Sequence, residues 1–375
     1  MPFELLEIPA TVTTNLNQKA FENLVTKSGQ PCRWLYSIPC PCVQKSGSAD
    51  ADCDICNGRG FSYDFIREMN IYREMAIVVR DRVLKIAHPT IKKLISVTHK
   101  ENGKWLGYNA TILDENHVKI DDAEPFKKHN RFFVDYVFTP ERDFSFEGIY
   151  QGAGHIVIPG LLIMTNHGGY VKPDIVSVET ITPSIEIEGF YKNIVKVKDY
   201  SRLKPGDKFM VKGKQIPPYV FPISSINIHN NYEGTFLIQG GDAVTTVNGY
   251  IPAGTNDIIT ALLSEHRRSA IMSRYPGRTF DIIPSFDVKE ILEIFEIDAE
   301  KNKKVFKNEI DYILRGRNEL HWIGDAPEHK YSVLYFSNAS FVVQPQSPSL
   351  RNHQQGRFPK KLTLKFADKI SDFEV

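Results

Sequence analysis

Along most of this chain apolar residues stand at every second position, in short runs separated by Gly, Pro, Asn and Asp. Phe132, Val134, Tyr136 and Phe138 share one parity, and Tyr331, Val333 and Tyr335 share another. A period of two places such residues on one buried face of a strand. The runs are rich in aromatic and β-branched residues and are bounded by turn formers, which predicts many short strands with tight turns. Helical periodicity is scarce. Only residues 17–26 and 259–274 read as helices, each brief and bounded by Gly or Pro nearby. The predicted fold class is mainly β.

The pattern also repeats. Residues from Ile91 read IKKLISVTHKENGKW, then ATILDENHVKIDDAEP, then RFFVDYVF; residues from Val288 read VKEILEIFEIDAEKNKK, then DYILRGRNELHWIGDAP, then YSVLYF. Each copy runs from an alternating strand through a charged turn to a second strand. A third strand, Val118-Lys119-Ile120 or Leu320-His321-Trp322, precedes a break at Pro125 or Pro327, and a closing strand holds Tyr136 or Tyr335. Proline at the break suits a loop before an edge strand. Common architecture predicts that Tyr136 is equivalent to Tyr335 and Pro125 to Pro327.

These features divide the chain into five expected units: residues 1–65 as an N-terminal zinc knuckle, 66–149 as the first meander, 150–260 as an inserted barrel-like domain, 261–336 as the second meander, and 337–375 as a polar C-terminal arm. Within the inserted domain Lys204-Pro205-Gly206-Asp207 reads as a turn between two strands. The arm carries Phe341 and Phe358 as expected exposed anchors for neighbours.

Composition narrows the function classes. At 375 residues the chain is long enough for two or three buried cores. The net charge of +1 gives no electrostatic case for a nucleic acid or an anionic membrane as partner. No run reaches the roughly 20 apolar residues that span a bilayer. The start MPFELLEIPATVTTN lacks the features of a signal peptide, so a reducing cytoplasm is expected until assembly.

All five cysteines lie between Cys32 and Cys56. Cys40/Cys42 and Cys53/Cys56 form two close pairs joined by a polar loop of ten residues, which can converge on one tetrahedral ion. Structural zinc is the expected cofactor, with Gly58 and Gly60 supplying positive φ after the second pair. Four protein sulfurs would leave no open coordination position for a substrate. Disulfides and an iron–sulfur cluster use the same residue type, although the odd count and missing signal argue against disulfides. The Cys-Pro-Cys spacing is tighter than in common knuckles. Cys32 reads as a spare, buried cysteine.

The run Cys32-Arg33-Trp34, Cys40-Pro41-Cys42, a polar loop, and Cys53-x-x-Cys56-x-Gly58-x-Gly60-x-x-Tyr63 resembles the N-terminal motif of tailed-bacteriophage virion proteins of about this length. The paired meanders, Tyr331–Phe341 and the stretch from Arg351 to Lys360 resemble the same proteins more weakly. The resemblance implies a structural role in the neck or head–tail connector, or else in the tail or baseplate. Its expected partners are other virion proteins and copies of itself. It also implies residence in the virion, after assembly in the host bacterial cytoplasm. The Cys-x-x-Cys-x-Gly-x-Gly piece occurs in chaperone zinc domains too, but those carry several copies.

Catalytic signatures are sparse. No His-x-x-x-His pair, Gly-x-Ser-x-Gly elbow, P-loop or dinucleotide fingerprint occurs, and His155, His167 and His229 stand alone. Glu265-His266-Arg267-Arg268 reads as a solvated helix face. The expectation is a protein without turnover or a small-molecule substrate. A cell-wall hydrolase and a nucleic-acid-binding zinc protein are the alternatives from other classes; the latter would need basic and aromatic residues around the knuckle.

Overall fold

The computed structural model describes residues 25, 27–50, 53, 56, 60–80, 82–101, 104–121, 131–165, 169–225, 242–274, 280–297, 301–345 and 360–367. Among these residues 63% lie in strands and 3% in helix, which makes the fold mainly β as the alternation predicts.

A barrel forms the centre. The strand Gln30–Pro39 pairs with Ile258–Ser273, which pairs with Lys330–Val343; then follow Lys360–Phe366, Ala243–Val247 and Ile223–Ser225. Ile223–Ser225 is separated only by Pro222 from Tyr219–Phe221, which pairs back onto Gln30–Pro39. Proline has no N–H to donate, so one continuous strand can change partners there and nearly close the ring. Alternate residues of each stave meet inside, among them Trp34, Phe221, Ile259, Phe341 and Leu364. The Trp34 indole is 1% exposed and donates to Asp257 Oδ2 at 3.0 Å. Burying roughly 200 Å² of such a ring at about 25 cal/mol per Å² is worth about 5 kcal/mol.

The two meanders share one topology. In the first, the sheet order is Met69–Met75, Phe132–Phe138, Ile91–Glu101, Lys104–Tyr108. In the second it is Ile258–Ser273, Lys330–Val343, Val288–Ile297, Lys303–Phe306. A facing sheet of Val83–Lys85, His117–Ile120 and Ala110–Ile112 has its counterpart in Phe280–Ile282, Glu319–Trp322 and Tyr312–Arg315. Even the irregularities coincide. Asp135 opposite Ser96 is followed by Tyr136 opposite Leu94, and Leu334 opposite Glu293 by Tyr335 opposite Ile291. A skipped residue fixes register, so bulges at matching places establish common architecture where alternation alone could not. Tyr136 and Tyr335 are equivalent; Pro125 lies outside the described residues.

Between the meanders, six strands from Arg142–Gly152 to Lys208–Ile216 form one sheet around Phe144, Ile156, Val195 and Val211. Lys204 to Asp207 makes the expected turn, with Gly206 at φ 99° and the Asp207 N–H donating to the Lys204 carbonyl at 3.0 Å.

Several expectations need correction. Residues 259–274 are not a helix but most of a sixteen-residue strand. Ala, Leu, Glu and Arg there favour a helix locally, yet the strand gains ladder partners on both edges. A bulge between Ala261 and Glu265 lets its first part serve the barrel and its second part the meander. Glu265 to Arg268 therefore sit on a strand. The expected helix at 17–26 lies outside the described residues except for Val25. The unit drawn at 1–65 contains a barrel stave, and the unit drawn at 150–260 is split between the six-stranded sheet and the barrel. The arm drawn from 337 begins inside the strand Lys330–Val343, and Lys360–Phe366 is another stave. Phe341 is buried at 7% exposure rather than presented to a neighbour, and Phe358 lies outside the described residues.

Candidate metal centre

Pro39 and Pro41 bracket Cys40, the first cysteine of the cluster. The barrel strand ends at Pro39, and Pro41 opens a six-residue helix, α1 (Pro41–Ser46), with Cys40 as its extended N-cap at φ −66° and ψ 146°. Proline suits the first helical position, where its missing N–H would have no intrahelical partner. Val43 and Gln44 donate backbone N–H groups to the Cys40 carbonyl at 3.0 and 3.2 Å, placing Cys42 in the first turn. Gly47 closes α1 in the left-handed region at φ 76°, as helix C-caps require.

The return path is equally fixed. Phe61–Asp64 pairs antiparallel with the end of the barrel strand, Pro39 opposite Phe61. The Cys40 N–H donates to the Gly60 carbonyl at 2.9 Å, tying the two ends of the cysteine loop together. Gly60 has φ 78°, and a Cβ there would come within 3.2 Å of Val43 and Ala49 side chains. Gly58 lies outside the described residues.

This frame brings Cys40, Cys42, Cys53 and Cys56 together, with all four sulfurs within 4.8 Å of one another. Cys40 Sγ and Cys53 Sγ are 3.7 Å apart, and Cys42 Sγ and Cys56 Sγ are 3.6 Å apart. A tetrahedron with metal–sulfur bonds of about 2.3 Å has edges of about 3.8 Å, whereas a disulfide requires about 2.05 Å. The set can therefore hold a metal ion, and none of its four cysteines is in a disulfide. A backbone hydrogen bond at Cys42 lowers the Cys40 thiol; desolvation and hydrogen bonds from Cys42, Cys53 and Cys56 outweigh it and push the thiol up to about 12. Loading a metal must therefore release protons.

Cys32 takes no part. It lies fully buried in the barrel, where burial pushes its thiol well up. His155 packs edge-on to Tyr191, and burial pushes it down to about 4; His167 and His229 lie outside the described residues.

Sequence reasoning missed a buried ionic cluster at the junction of three bodies. Arg33, on the barrel, meets Asp174 at 2.6 Å and Asp287 at 2.9 Å, and Lys192 meets Asp287 at 3.2 Å. Arg33 stands between the inward residues Cys32 and Trp34, so alternation alone assigns it to solvent. Its burial arises from the six-stranded sheet and second meander packing over that face. No described helix is long and apolar enough to cross a membrane. No protein-family model matches the chain, and no curated protein is detectably similar to it in sequence.

Proposed function

We propose that this chain is a structural component of a tailed-phage virion. It acts in the neck or head–tail connector by binding copies of itself and other virion proteins, and zinc on Cys40, Cys42, Cys53 and Cys56 holds its knuckle. The closed four-sulfur cluster carries the reading, together with the cysteine motif in which it stands. With every ligand position taken by protein, such an ion serves folding and offers no site for turnover. It would cross-link the loop between the barrel stave and Phe61–Asp64, a loop with little apolar core of its own.

Exposed strands supply the means of assembly. Ile77, Val78 and Val79 are 60%, 44% and 52% exposed on the strand Ile77–Arg80. That strand pairs only with Val83–Lys85 among the described residues. Edges of this kind bind a neighbour through main-chain hydrogen bonds. Quantitative mass spectrometry of density-purified particles from the phage encoding this chain tests the proposal. The expected result is a fixed whole-number copy per particle; absence from washed particles, or cell-wall or nucleic-acid cleavage at enzymatic rates, overturns it.

A further inference from the structure

One turn of the second meander differs in chemistry from its counterpart in the first. The turn contacts are equivalent: Ile91 N–H donates to the Glu115 carbonyl at 3.1 Å, and Val288 N–H to the Arg317 carbonyl at 2.7 Å. Arg317 thus stands where the other copy has Glu115, and the matching ladder puts Asp287 and Asn338 where it has Thr90 and Thr139. Two of these changes have structural partners. Asp287 meets Arg33 and Lys192, and Asn338 Nδ2 donates to Asp287 at 2.5 Å.

Arg317 has no carboxylate within 4.0 Å among the described residues. It lies 5.4 Å over the Phe65 ring and lines a cavity of about 280 Å³ between the barrel, the six-stranded sheet and the second meander. Burial, and then the nearby Arg33 charge, push its guanidinium below the ordinary value, against the pull of Asp174, Asp287 and Asp64. Arginine cannot discard its proton to escape that cost. The other charges at the cavity are spoken for. Asp174 is held by Arg33, Arg67 by Glu141 at 2.9 Å, and Lys192 by Asp287. Asp64 Oδ1 accepts from the Phe65 backbone N–H at 2.7 Å and lies 3.9 Å from Arg67, with its side chain half exposed.

We propose that this cavity binds a small oxyanion, a phosphate or carboxylate, with the Arg317 guanidinium as its principal donor. The fork of N–H groups suits a planar or tetrahedral oxyanion in two-point contact. A volume of about 280 Å³ admits an ion of that size. The inference stands independently of the virion reading, since it concerns a different face and a different chemistry.

Isothermal titration of the full chain with sodium phosphate and with sodium citrate, at matched ionic strength in chloride, tests it. At least one anion should give saturable heat and raise the melting temperature with concentration. Arg317→Gln should lower that affinity at least tenfold, while Lys304→Gln, which removes a cation paired with Asp325 on the surface, should leave it unchanged. Wild-type chain without saturable heat for either anion overturns the proposal whether or not the variant folds. Equal affinity in Arg317→Gln overturns it as well.

Discussion

Replacing Asp287 by alanine should destabilise the protein by about 3–5 kcal/mol, the cost of removing one partner from a buried ion pair. Asp287 is 1% exposed, forms ion pairs with Arg33 at 2.9 Å and Lys192 at 3.2 Å, and accepts a hydrogen bond from Asn338 Nδ2 at 2.5 Å. At an effective dielectric near 20, two charges about 3 Å apart attract by roughly 5 kcal/mol before desolvation is subtracted. The substitution leaves Arg33 with Asp174 alone and Lys192 without its carboxylate. Burial already lowers the Lys192 ammonium, with Asp287 opposing that shift. Without Asp287, Lys192 can shed its proton whereas Arg33 cannot. The loss should therefore shrink as pH rises toward the ordinary lysine range. Urea unfolding followed by tryptophan fluorescence measures it, with Glu186→Gln, partner of Lys198 on the surface, expected to leave the midpoint unchanged. A loss below about 1 kcal/mol for Asp287→Ala would refute the reasoning, because a screened surface pair behaves that way.

Other outcomes follow from the same geometry. Burial alone would raise the Asp287 carboxyl, but Arg33, Lys192 and Asn338 hold it well below the carboxylate range. Its contribution is thus complete above about pH 4 and lost as pH falls further. Acid titration should show wild-type stability converging on that of Asp287→Ala. Cys56→Ser should abolish metal binding and expose the cysteine loop to protease while Trp34 fluorescence stays native, since the barrel has its own core. Gly213→Ala puts a Cβ 2.1 Å from the Ser177 carbonyl oxygen, backbone that cannot swing aside, so a loss of at least about 1–3 kcal/mol is expected in thermal melts. Truncation after Phe336 removes two barrel staves, and circular dichroism should show loss of the folded barrel; a cooperative, native-like melt would refute that expectation.

What the sequence disclosed follows from the range of the interactions involved. Alternation at period two is local, so the strands of both meanders and the equivalence of Tyr136 with Tyr335 were legible. The convergence of Cys40, Cys42, Cys53 and Cys56 was legible too, since two cysteine pairs joined by a short loop need only local chain to meet. Closure of the barrel was not. Its six staves come from residues 30 to 366, and neither the partner change at Pro222 nor the addition of Lys360–Phe366 leaves a local signal. The helix reading at 259–274 failed because tertiary ladders outweighed the propensities of Ala, Leu, Glu and Arg. Arg33 escaped notice for the same reason: its burial is created by bodies more than a hundred residues away in sequence.

The metal content of freshly purified, reduced chain tests the central claim most directly. Plasma mass spectrometry should find close to one zinc per chain, the stoichiometry of a closed four-thiolate site, and Cys56→Ser should carry none. A fully reduced, folded wild-type chain with no bound metal would contradict the account.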